Sequence, residues 1–90
     1  MLWTNVYSLE KLGAFLQDTR KQQGRTQNDF AELIGVSHAT LSALENGRNV
    51  STVTLEKALQ FLGLRMVIVP KSASVHVDEK ENYEQRYADE

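Results

Sequence analysis

From Gln27 to Gly47 the chain reads QNDFAELIGVSHATLSALENG, and no other stretch leaves the backbone so few options. Phe30, Leu33 and Ile34 recur at helical spacing, and Thr26 ahead of them carries the side-chain oxygen that caps a helix start. Asp29, three residues on, helps to hold the exposed amides of that first turn. Gly35 ends the helix, because the residue just past a helix often needs a positive φ, which glycine adopts without strain. Only Val36 intervenes before Ser37, a second cap. Val36 and Leu41 stand where apolar side chains staple the chain's entry into a helix. Leu41 and Leu44 continue the buried stripe, and Asn46-Gly47 closes it. Two helices this short, joined this tightly, must cross steeply, and Ala31 is small enough to let them approach.

Counted from Gln27, a small residue stands fifth, glycine ninth, and apolar residues fifteenth and eighteenth: Ala31, Gly35, Leu41 and Leu44. With its Glu45-Asn46-Gly47 ending, the stretch resembles the Cro/C1-type (XRE) helix-turn-helix. A helical hairpin that merely packs is the plainer reading, and the number of fixed positions met at once weighs against it. The resemblance implies an all-α fold, a compact four-helix, lambda-repressor-like domain.

The flanking sequence supplies the other two helices. Ser8 caps the first, with Tyr7 placed to meet Leu12 across the cap. That helix runs to about Gln23 with Leu9, Leu12, Phe15 and Leu16 on one stripe, and Gly24 closes it. Val50-Ser51 opens the last helix, with Leu55 at the staple position, Ala58, Leu59 and Leu62 on its stripe, and Gly63 at its end. These outer helices bury the apolar faces of the motif, since a lone helix-turn-helix has too little core, and 90 residues make one domain. Ahead of Ser8, Trp3 and Val6 cover part of the core or make a subunit contact.

Arg65-Met66-Val67-Ile68-Val69 changes the period: it is rich in β-branched residues and stopped by Pro70. A lone strand in a helical chain has no ladder partner. It either folds over the helices as a strap or pairs with the same strand of a second copy across a two-fold axis. The second solution is favoured, with Met66, Val67, Ile68 and Val69 as dimerisation residues, because two-fold operators call for dimers. The DNA-binding domain then spans 1–70, and 71–90 form an acidic tail whose composition favours disorder. Tyr83 and Tyr87, four apart, could mark a short helix formed on a partner.

A Cro/C1-type domain whose fourth helix runs directly into an apolar strand, here LGLRMVIVP, is similar to the HipB family of antitoxins. The likeness covers about residues 8–70 and includes Ala39-Thr40-Leu41-Ser42. It implies a homodimer whose strands form a lid, a HipA-type serine/threonine kinase toxin as partner, and repression of its own operon. A stand-alone XRE regulator without a toxin is the alternative. A protein-binding adaptor on the same fold is a third.

The net charge of −2 opposes nucleic-acid binding until it is divided. Residues 71–90 hold six acids and three bases, and residues 1–70 seven bases and six acids, so the acidity lies in the tail. A near-neutral domain binds DNA when its bases share a face, and Arg20, Lys21, Arg25 and Arg48 fall near the ends of the motif. There is no cysteine, which removes disulfides and thiolate metal sites. No apolar run approaches the roughly 20 residues of a membrane span and no signal peptide precedes the first helix, so a cytoplasmic protein is expected. Catalysis fails on inventory. His38 and His76 are the only histidines, adjacent Ser37 and His38 diverge, and neither a glycine-rich phosphate loop nor a metal cluster occurs. No cofactor is expected.

A domain of this kind sets its third helix in the major groove of double-stranded DNA, here a palindromic operator. By position Ser37, His38, Ala39, Ser42 and Ala43 face that groove, and the resemblance makes His38, Ala39, Ser42 and Ala43 the base-contacting residues. His38 can donate to or accept from a base edge, Ser42 can reach base or phosphate, and Ala39 can touch a thymine methyl. No arginine or glutamine fork is available, so DNA shape is expected to contribute. The resemblance makes Gln27 and Asn46 phosphate-contacting residues; Ser37 joins that set, and Thr40, Arg25 and Arg48 are added by proximity only. The resemblance also gives Gln27 a second role, bracing the recognition helix.

Overall fold

The structure is a computed structural model and describes residues 3–78. Four helices follow one another: α1 (Leu9–Gln22), α2 (Gln27–Ile34), α3 (His38–Glu45) and α4 (Thr52–Leu62). Each opens on a hydroxyl that accepts from the third residue of its helix. Ser8 Oγ takes the Lys11 amide at 3.1 Å, Thr26 Oγ1 the Asp29 amide at 3.0 Å, Ser37 Oγ the Thr40 amide at 3.0 Å and Ser51 Oγ the Thr54 amide at 3.2 Å. Such a cap is worth about 1 kcal/mol against alanine, so the four starts are fixed locally.

Helix ends are equally determined. At Gly35, φ is +77°, and the Val36 amide reaches back to the Ala31 carbonyl at 3.0 Å, closing α2 in a left-handed cap. Gly47 repeats the device at the end of α3, where the Arg48 amide donates to the Ala43 carbonyl at 2.8 Å. It is also pressed against α1: a β-carbon there would stand 2.6 Å from the Cα and the amide nitrogen of Glu10. From the other side, a β-carbon on Gly13 would collide with the carbonyl oxygens of Leu44 and Glu45. Two missing side chains therefore let the backbones of α1 and α3 touch. Gly13 looks like a flaw in a helical stripe until its neighbour across the fold is known.

The core is assembled from Leu12 and Leu16 of α1, Phe30, Ala31 and Ile34 of α2, Leu41 and Leu44 of α3, and Ala58 and Leu62 of α4. Val36, Val50, Leu55, Leu59 and Leu64 close over it while staying partly exposed. Helices α1 and α2 each pack on both α3 and α4, so every amphipathic face finds a partner. At about 1.5–3 kcal/mol for each large aliphatic or aromatic side chain buried, this packing outweighs the caps as a source of stability. No helix among the described residues is long and apolar enough to cross a membrane.

Two expectations need correction. Tyr7 is 80% exposed rather than stapled over the start of α1, whereas Val36 and Val50 pack against the core to which Leu41 belongs. Leu9 and Leu33 are exposed rather than on the buried stripes. Leu9 is the first residue of α1, where the backbone rather than the side chain meets Gly47, and in the two-turn α2 the inward face is taken by Phe30, Ala31 and Ile34. Residues 65–69 have no regular structure and belong to no ladder in the single chain, where Val67 and Ile68 face solvent and Met66 and Val69 are about half exposed. After Pro70 the chain turns, the Ala73 amide donating to the Pro70 carbonyl at 2.9 Å. Tyr83 and Tyr87 lie outside the described residues.

Candidate nucleic-acid interface

Helix α3 has a sharply divided surface. Leu41, Leu44 and Glu45 are buried, whereas His38 and Ala39 are exposed and Ser42 and Ala43 half-buried. Spacings of four residues put His38 with Ser42 and Ala39 with Ala43 on the outward side. The four sequence-derived base-contacting positions thus share the face that looks away from the core.

Around that face the small polar residues are already engaged. Ser37 Oγ donates to Thr40 Oγ1 at 2.9 Å while accepting the Thr40 amide, which pins the first turn. Asn46 folds back along the helix, its Nδ2 donating to the Ser42 carbonyl at 2.8 Å and lying 3.4 Å from Ser42 Oγ. Its side-chain carbonyl and the Ser42 hydroxyl proton are left for an outside partner. Arg48 is exposed just past α3. Arg25 is half-buried, with its guanidinium 5.9 Å from the centroid of the Phe30 ring, an arrangement that draws on the ring's negative face.

Behind α3 lies a feature that the sequence reading missed. Arg20 and Glu45 form an ion pair with side chains only 6% and 2% exposed. Arg20 Nε donates to Glu45 Oε2 at 2.6 Å, Nη2 to Oε1 at 3.2 Å, and Nη1 to the Arg25 carbonyl at 2.7 Å. Gln27 Nε2 and Gln17 Nε2 add donors to Oε1 at 2.9 and 3.3 Å. One carboxylate at the end of α3 thereby holds α1, the start of α2 and the loop between them. No buried polar side-chain atom among the described residues lacks a partner. Arg20 is accordingly withdrawn from the basic face to which its sequence position assigned it. Gln27 is half-buried, its amide turned inward to brace α3, and what it offers outward is the helix start on which it sits. The sequence does carry a trace of this arrangement. Arg20 follows Leu12 and Leu16 at the same four-residue step, and Glu45 follows Leu41, so two opposite charges stand on apolar stripes.

Residues 16–69 match the helix-turn-helix family model. The antitoxin HipB of Escherichia coli O6:H1 is 37% identical, over 93% of this chain and 99% of that protein. This chain belongs to the helix-turn-helix family and is a homologue of the antitoxin HipB. The ImmF control region 10 kDa protein of Bacillus phage phi105 is 34% identical over 83% of each chain. Among solved structures, a chain of the HipA-HipB-O2-O3 complex superposes with a TM-score of 0.69 at 34% identity, over 78% of this chain and all of that one. In helix-turn-helix terms, α2 and α3 are the motif, Val36 and Ser37 its turn, and α3 its recognition helix. Nothing in the family membership calls for catalysis.

Proposed function

We propose that this chain is a HipB-like antitoxin: a dimeric, sequence-specific repressor that binds operator DNA and restrains a HipA-type serine/threonine kinase. The observation that carries the reading is the two-sided construction of α3. Its inner face is locked by Glu45, while its outer face is open from the Ser37 cap to Asn46, on a chain homologous to HipB over nearly its whole length. His38, Ala39, Ser42 and Ala43 read base edges in the major groove. Gln27, through its helix start, and Ser37, Thr40, Asn46, Arg25 and Arg48 position the duplex by its phosphates. The small outward side chains favour recognition of groove shape alongside direct contacts.

Residues 1–70 form the DNA-binding domain. Residues 66–69 pair with those of a second copy, which supports both the two-fold operator and the exposure of that segment. The kinase binds the helical flanks away from α3, so that operator and kinase are held together and the operon represses itself. Restraint of the kinase requires only that the dimer bind one conformation better than another, with no catalytic residue supplied by this chain. The tail 71–90 is a secondary contact. A stand-alone regulator is the second reading, and the likeness to a phage control-region protein favours it.

Co-expression with the reading frame beside its own separates the two. The expected result is a complex that survives size-exclusion chromatography, contains one kinase per subunit, and shifts further when operator duplex is added. A neighbour that is no kinase, or one that elutes apart, leaves the stand-alone repressor.

A further inference from the structure

The amino-terminal arm, Trp3 to Tyr7, has no regular structure, yet its apolar side chains gather at one place. Trp3 and Val6 of the arm line a cavity of about 100 Å³ together with Phe15, Leu59, Leu64 and Met66. The two ends of the domain therefore meet at the same edge of the helical core. Trp3 is 49% exposed, and Val6 and Met66 are similarly half in water, so the edge is unfinished in the single chain. A tryptophan can bury on the order of 150–250 Å², and about half of that remains available here.

A two-stranded ribbon is marginal in water unless its underside is packed. When two copies of the 66–69 segment pair antiparallel across a two-fold axis, the end of one lies opposite the beginning of the other. The beginning is Met66, and the arm stands beside it. We propose that the arm is part of the dimer interface: Trp3 and Val6 seat the far end of the second copy's 66–69 segment. By symmetry this contact is made twice, so each dimer has two arm shelves flanking one ribbon. The inference rests on the reading that residues 66–69 dimerise the chain, and it adds a specific residue pair to that surface.

Trp3 is the only tryptophan, which makes the interface directly observable. On dilution through the dimer dissociation range, defined by sedimentation equilibrium, the emission of Trp3 should move to longer wavelength with the same midpoint. Trp3→Ala should raise the dimer dissociation constant by about tenfold or more with helical circular dichroism unchanged, and Trp3→Phe should recover most of the loss. Emission that stays constant while the dimer dissociates, or a Trp3→Ala dissociation constant within a factor of about two of the parent, overturns the arm's role. The control is Ile68→Asp. If it abolishes the dimer while Trp3→Ala does not, the strand pairing stands and only the shelf is lost. A parent chain that is monomeric throughout overturns both.

Discussion

Glu45→Ala is expected to lower the melting temperature by on the order of 20 °C, as much as truncating a core side chain. The substitution leaves Arg20 buried with its charge unpaired, and breaking a buried pair from one side costs about 3–5 kcal/mol. A small domain has about 5–15 kcal/mol in all, so the loss is a large fraction of the total. Gln17 and Gln27 each lose their acceptor as well, and Gln27 ceases to brace α2 against α3. Glu45→Gln keeps the shape and one acceptor oxygen, and should fall between the parent and alanine. The double variant Arg20→Met, Glu45→Leu should recover much of the loss, because apolar residues of similar volume often replace a buried ion pair at little cost. Thermal unfolding by circular dichroism reads all three. If Glu45→Ala melted within a few degrees of the parent, the pair would be a surface-like contact and the locked inner face of α3 would have to be abandoned.

Ile68→Asp is the second large effect, and it acts on assembly rather than folding. Ile68 is 90% exposed in the single chain, so a carboxylate there disturbs nothing within the domain. In a paired ribbon the same carboxylate is desolvated, with its symmetry mate's like charge close by. The expected outcome in sedimentation velocity is a monomer with unchanged helicity. Operator affinity should fall by about 10²- to 10⁴-fold, because each half-site then binds without a tethered partner. An intact dimer carrying this substitution would place the two-fold contact elsewhere on the molecule.

The two substitutions bracket what the sequence makes legible. Helix limits are local events, and the hydroxyl caps at Ser8, Thr26, Ser37 and Ser51 and the glycine ends at Gly35, Gly47 and Gly63 can each be read from a few neighbouring residues. The outward face of α3 follows by subtraction once Leu41 and Leu44 are assigned to the core. Features that depend on two distant segments were not legible. Gly13 makes sense only against the carbonyls of Leu44 and Glu45, and Arg20 only against Glu45, 25 positions later. Reading Arg20 as a free base was natural, because a lone arginine in a last helical turn ordinarily lies in solvent. The exposure of Leu33 and Leu9 is the converse case, where periodicity places a residue toward a face and the length of the packed region decides whether anything covers it.

The outward face of α3 is where this protein meets DNA if its function is the one proposed. Its most direct test is a fluorescence-anisotropy titration of a labelled palindromic duplex, taken from upstream of the chain's own reading frame, over a range of salt. A dimer docked through two recognition helices should neutralise on the order of six to ten phosphates, so affinity should fall by about 10³- to 10⁵-fold between 50 and 200 mM salt. Arg48→Ala should weaken binding to every duplex alike, whereas a change at His38 should alter which bases are preferred. Weak binding that stays flat across the salt range would contradict the account and leave a protein-binding adaptor on a helix-turn-helix fold.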